Sequence, residues 1–185
     1  MDYLSGYTGN EPHPYVILAR KSIENTARDL DPSSGIDFSG LLRMPVMNIH
    51  RACFVSIKNK SGSLRGCIGT IMPVFSSIWE EIVENAHAAA CRDPRFQPVN
   101  PDEVGQCRIS VDVLEVPELI SDPSKLDPKI YGVIVEKGNM KGVLLPDLEG
   151  IDSCEQQISI AMNKANILSA EGMTLWRFKV SRYKE

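Results

Sequence analysis

The sequence predicts an α+β fold, an antiparallel sheet with flanking helices. Two hairpin signals lie far apart, at residues 52–71 and 132–145. Three amphipathic stretches separate and surround them, and the order is mixed rather than a regular strand–helix alternation. Mixed order of this kind argues against a doubly wound parallel sheet.

Residues 1–11 hold two glycines and little apolar content and are expected to form a flexible lead-in, with a single domain over 12–185. Pro14 suits the first turn of a helix, where a missing N–H costs nothing. Tyr15, Leu18, Ala19, Ile23 and Leu30 recur at near-helical spacing as far as Asp31-Pro32. In residues 52–58, Cys53, Val55 and Ile57 share one strand face. Asn59-Lys60-Ser61-Gly62-Ser63 is turn chemistry, and residues 64–71 can return as the second strand.

Residues 75–91 are the strongest internal helix, with Trp79, Ile82, Val83, Ala86, Ala89 and Ala90 on a broad apolar face. Asp93-Pro94 ends it, since the residue before proline avoids the helical region. Residues 108–116 alternate as a strand through Ile109, Val111 and Val113. A second hairpin turns at Lys137-Gly138-Asn139-Met140-Lys141. Ser153 and Gln156 have capping-box spacing at the head of a helix over 153–168, with Cys154, Ile158, Ala161, Ala165 and Leu168 as its core stripe. A final strand is expected over 174–180. No internal repeat is visible in the sequence.

Composition narrows the function classes. With 43% hydrophobic and 24% charged residues in 185, the chain has the balance of an ordinary globular protein and the length to bury a core. A formal net charge of −4 gives nucleic-acid binding no support from the molecule as a whole. No apolar run is long enough to span a bilayer, and the N-terminus lacks a signal-peptide pattern, so a cytoplasmic location is expected. The five cysteines show no C-x-x-C and no Cys/His cluster, so free thiols are expected and a structural zinc site is not.

Leu64-Arg65-Gly66-Cys67-Ile68-Gly69-Thr70 is the unusual stretch. Gly66 and Gly69 weaken a strand, and such glycines mark places where another group approaches the backbone closely. Alternation puts Arg65 on the same strand face as Cys67, where a guanidinium favours thiolate over thiol. Two readings stand side by side: a reactive thiol, and a small buried cysteine between glycines that relieve crowding. His87 lies one helical turn before Cys91, as a base beside a thiol or as part of an alanine-rich packing helix. Arg92, Asp93 and Arg95 read first as bonds to the helix end and the following loop. His13 and His50 read as cap or surface residues.

Together these segments resemble the AMMECR family, known in prokaryotes as AmmeMemoRadiSam system protein A. Leu64-Arg65-Gly66-Cys67-Ile68-Gly69 is similar to its signature. Pro14-Tyr15-Val16 with Leu18-Ala19-Arg20, Asp93-Pro94-Arg95-Phe96 with Pro98-Val99, and Gly142-Val143-Leu144-Leu145-Pro146 match further stretches in order. Asp147 to Asp152 departs from it, being shorter than the family's acidic, tryptophan-containing segment.

The resemblance implies two unequal subdomains with a groove between them, and Cys67 near that groove. The candidate catalytic residues are then Cys67, Arg65 and His87, with Gly66, Gly69, Asp93 and Arg95 as candidate substrate-binding residues. It also implies a Memo-like protein and a radical SAM protein as partners. Three functions are expected to compete. The first is an enzyme or enzyme subunit using Cys67, the second a non-catalytic binding module for those partners. The third and weakest is a nucleic-acid-associated regulator.

Overall fold

The computed structural model describes residues 12–37, 39–40 and 43–185, and the expected lead-in at residues 1–11 lies outside them. Pro14 opens helix α1 (Pro14–Ala27), and the His13 ring nitrogen Nδ1 accepts the Tyr15 N–H at 3.3 Å. The helix ends at Ala27 and the chain turns through Asp29 at a φ of +56°. Leu30, expected on the core stripe, lies past that turn and is half exposed.

Strands β1 (Cys53–Lys58) and β2 (Leu64–Gly69) form the first hairpin. At its tip the Asn59 side chain accepts the Ser63 N–H at 2.9 Å. Helix α2 (Ile78–Cys91) starts three residues later than the apolar pattern predicts. The Phe75 N–H, at 2.9 Å, and the Val74 N–H are taken by the buried Glu81 carboxylate, which pulls them out of helical geometry. Ser77 and Glu80 then form a capping box, each satisfying a donor the helix cannot. A short helix α3 (Pro101–Val104) leads to β3 (Arg108–Leu114).

Strand β4 (Glu118–Ile120) is too short to carry a sequence signal. Strands β5 (Gly132–Lys137) and β6 (Met140–Leu144) form the second hairpin. Helix α4 (Cys154–Lys164) begins at the expected Ser153–Gln156 capping box but stops before Ala165. Asn166 turns the chain at a φ of +55°, and Leu168, expected in the core, is 99% exposed. The expected final strand is two: β7 (Thr174–Phe178) and β8 (Val180–Lys184) belong to different sheets.

The sheets run β2-β1-β3-β8 and β4-β7-β5-β6. The chain divides into two compact units, one of the described residues up to Val113 with Arg182–Glu185, the other Leu114–Ser181. In the first, Cys53, Val55, Ile57, Ile109 and Val111 are buried with Val16, Ala19 and Ile23 of α1 and Ile82, Ala86 and Ala89 of α2. Each fully buried Ile or Val stabilises by roughly 1.5–3 kcal/mol. In the second, Val133, Val135, Leu144, Ala161 and Ile167 make the core. Among the described residues no helix is long and apolar enough to cross a membrane.

The two units share one plan that the sequence did not reveal. Each has a hairpin, then a helix, then a third strand that pairs antiparallel with the hairpin's first strand: β1-β2-α2-β3 and β5-β6-α4-β7. The third residue of the second hairpin strand is glycine in both, Gly66 and Gly142. A Cβ on Gly66 would overlap the Ala89 carbonyl oxygen of α2, and one on Gly142 would overlap the Ala161 carbonyl oxygen of α4. The glycines let a helix backbone lie directly on a strand.

Candidate functional site

Cys67 sits on an outer strand, at a position whose backbone N–H and C=O point away from the sheet. Both are claimed by the segment that follows α2. Asp93 Oδ2 accepts the Cys67 N–H at 2.9 Å, and Arg95 Nη2 reaches the Cys67 carbonyl at 3.3 Å. Arg95 is itself forked onto Asp93, with Nε–Oδ1 at 2.9 Å and Nη2–Oδ2 at 2.7 Å. The pair thus offers one acceptor and one donor, as a neighbouring strand would. The Asp93 side chain is 2% exposed and that of Arg95 is 55% exposed. The hydrogen bonds from Arg95, with help from the Cys67 N–H, hold the Asp93 carboxyl well below the usual carboxylate range.

The Cys67 side chain points to the sheet face opposite α1 and α2, because Gly66 next to it faces α2. It is half-buried, and the Ser56 hydroxyl donates to its sulfur at 3.2 Å. Ser56 lies Cα-to-Cα opposite Cys67 on one side and Ser110 on the other. On the same face Phe54 lies between Gly69 and Asp112, and its ring fills the space over Gly69. Asp112, 3% exposed, is forked by Arg182 at 2.7 and 3.0 Å.

Arg65 is elsewhere. The register of β1 and β2 shifts between Ile57 and Lys58, pairing them with Gly66 and Leu64 and leaving Arg65 unopposed. A bulge of this kind re-aims a side chain. The Arg65 guanidinium is forked onto Glu103 at 3.1 and 2.6 Å and donates to the Gln97 and Pro98 carbonyls at 2.8 and 3.0 Å. It fastens the segment after Asp93 to the hairpin. The guanidinium beside Cys67 is that of Arg95.

His87 belongs to the helical layer on the other sheet face. Its Nδ1 is 3.0 Å from Thr26 Oγ1, and the Cys91 thiol donates to its carbonyl at 3.3 Å. Burial pushes the Cys53, Cys91, Cys107 and Cys154 thiols up, Cys53 to about 12. Among the described residues no group of three His, Cys, Asp or Glu side chains could hold a metal ion.

The structure therefore gathers Cys67, Gly69, Asp93 and Arg95 with Ser56, Ser110, Asp112 and Arg182, and separates them from Arg65 and His87. Ser56 and Ser110 were missed because only the register places them in line with Cys67. Alternation alone identifies a face, not the neighbours across it.

Known proteins share this architecture. The uncharacterized protein PH0010 of Pyrococcus horikoshii superposes with a TM-score of 0.78 at 29% identity, over 92% of this chain and 89% of that one. A protein of Thermotoga maritima is 44% identical over 176 residues, 93% of this chain and 98% of its own length. A protein of Clostridium acetobutylicum is 46% identical over 95% of this chain, but the match spans only 36% of that longer protein. The AMMECR1 family model matches residues 16–184. The chain belongs to the AMMECR1 family.

Proposed function

We propose that the chain is an enzyme or enzyme subunit whose reacting group is the Cys67 thiol, working with Memo-like and radical SAM partner proteins. One observation carries the thiol assignment. The Cys67 backbone is held at both its N–H and its C=O by the Asp93–Arg95 pair, which fixes where the sulfur sits. A fixed sulfur near a half-exposed guanidinium has the positioning that nucleophilic chemistry needs. Asp93 and Arg95 act through the Cys67 backbone, with the outer edge of Arg95 available to an anionic group on a substrate. The partners rest on the family resemblance. The long Clostridium relative, which carries further chain beside the matched region, supports work alongside another domain.

The non-catalytic reading draws on glycines that would admit a partner's backbone. In this chain the space over Gly66 and Gly69 is taken by the Ala89 carbonyl and the Phe54 ring. That weakens its support relative to the thiol.

Residue-resolved alkylation of the native protein with iodoacetamide tests the reading. Cys67 is expected to label first among the five cysteines. Labelling of Cys67 no faster than the buried Cys53, with both released only by unfolding, would sink it.

A further inference from the structure

The structure points to Ser56 as the residue that positions and polarises the Cys67 thiol, an inference that rests on Cys67 being the reacting group. The two hairpin–helix modules supply the argument. In the first, the residue after the helix-facing glycine is Cys67, opposite Ser56, which is opposite Ser110. In the second, the residue after the matching glycine is Val143, opposite Ile134, which is opposite Trp176. The same three positions are thus a thiol and two hydroxyls in one copy and an aliphatic pair with an aromatic in the other.

The apolar row is what a strand prefers, since β-branched and aromatic side chains pack well on a pleated surface. Ile134 is 2% exposed in its copy. A half-buried hydroxyl must instead find a partner or lose free energy. The scaffold accommodates Val and Ile at the two central positions, so packing alone does not call for Cys67 and Ser56. Ser56 spends its hydroxyl on the sulfur, at 3.2 Å. A donor aimed at sulfur favours the charged form and holds one side-chain rotamer. Thiol and hydroxyl make a working pair, and Arg95 adds positive charge beside it.

The test is the pH profile of Cys67 alkylation in the full chain, with Ser56→Ala and Ser56→Thr compared with wild type. Iodoacetamide is the probe because it is neutral and insensitive to Arg95. Ser56→Ala is expected to change the rate–pH profile, with Cys67 alkylated several-fold more slowly near neutral pH, as expected for losing a hydrogen bond to a charged group. Ser56→Thr keeps the hydroxyl and suits a strand, so it is expected to restore the wild-type profile. A Ser56→Ala profile that superimposes on wild type would overturn the inference while leaving a reactive Cys67 standing. Wild-type Cys67 that labels only on unfolding would overturn both.

Discussion

The module around Gly66 and the module around Gly142 meet the same packing demand and then part at the next residue. Each lays a helix carbonyl on a strand glycine, Ala89 on Gly66 and Ala161 on Gly142. Each then caps the outward carbonyl of the following residue with a basic side chain from the end of that helix or just beyond it. Arg95 reaches Cys67 O at 3.3 Å and Lys164 reaches Val143 O at 3.0 Å. The difference is investment. Lys164 acts alone and is exposed, whereas Arg95 is locked onto a buried Asp93 that also takes the Cys67 N–H. What recurs in both copies belongs to the fold. What occurs only at Cys67 is what the shared fold does not demand.

The largest test of that division is Gly66→Ala beside Gly142→Ala. A methyl at either position meets a backbone oxygen, which cannot swing aside as a side-chain tip can. Each variant is expected to lose about 3 kcal/mol, the upper part of the range for overpacking, as a lower urea midpoint. A large loss in only one would break the equivalence of the modules.

Next in size is Asp93→Asn against Lys164→Met. Removing the Asp93 charge breaks a pair whose other member is half exposed, so about 1–2 kcal/mol is expected, below the value for a fully buried pair. Lys164→Met is expected to cost less than about 0.5 kcal/mol. The contrast sharpens with pH. The Asp93 carboxyl titrates lower folded than unfolded, chiefly because Arg95 bonds to it. Its contribution is therefore complete above about pH 5 and is lost progressively as the pH falls further. Urea midpoints should converge between wild type and Asp93→Asn in acid. A gap that stays constant from pH 7 to pH 2 would contradict this.

The smallest effect is expected from Cys67→Val, which copies Val143 into the first module. Its stability change should stay under about 1 kcal/mol in urea melts, as for a swap of similar volume. A loss well beyond that would make Cys67 a packing residue.

Much of this is legible in the sequence alone. The capping-box spacing of Ser153 and Gln156 is local, and α4 begins where it predicts. Alternation placed Cys53, Val55, Ile57, Ile109, Val111 and Val113 in the core, because period-two burial needs no tertiary information. The helix ends were less legible: Leu30 and Leu168 continue the apolar pattern past Asp29 and Asn166, where positive φ turns the chain. At the site, the Gly-Cys-x-Gly run singled out Cys67, but the bulge that turns Arg65 toward Glu103 leaves no mark in the alternation. The repeat stayed hidden for a related reason. Its copies share a basic residue, a glycine and a backbone contact, and a backbone contact has no sequence signature.

The clamp on Cys67 also orders events in time. An outer strand with open N–H and C=O groups invites pairing with other chains until something covers it. Asp93 follows Cys67 by 26 residues, and Lys164 follows Val143 by 21. During synthesis the Cys67 N–H and C=O and the Val143 carbonyl therefore wait only for the helix that follows them and, for Cys67, a few residues more before they are capped. Chains emerge N-terminal first and misassemble while such edges are open. Placing each cap a short way downstream keeps that window short at these positions, so the Cys67 groups can be covered before the second hairpin has been made.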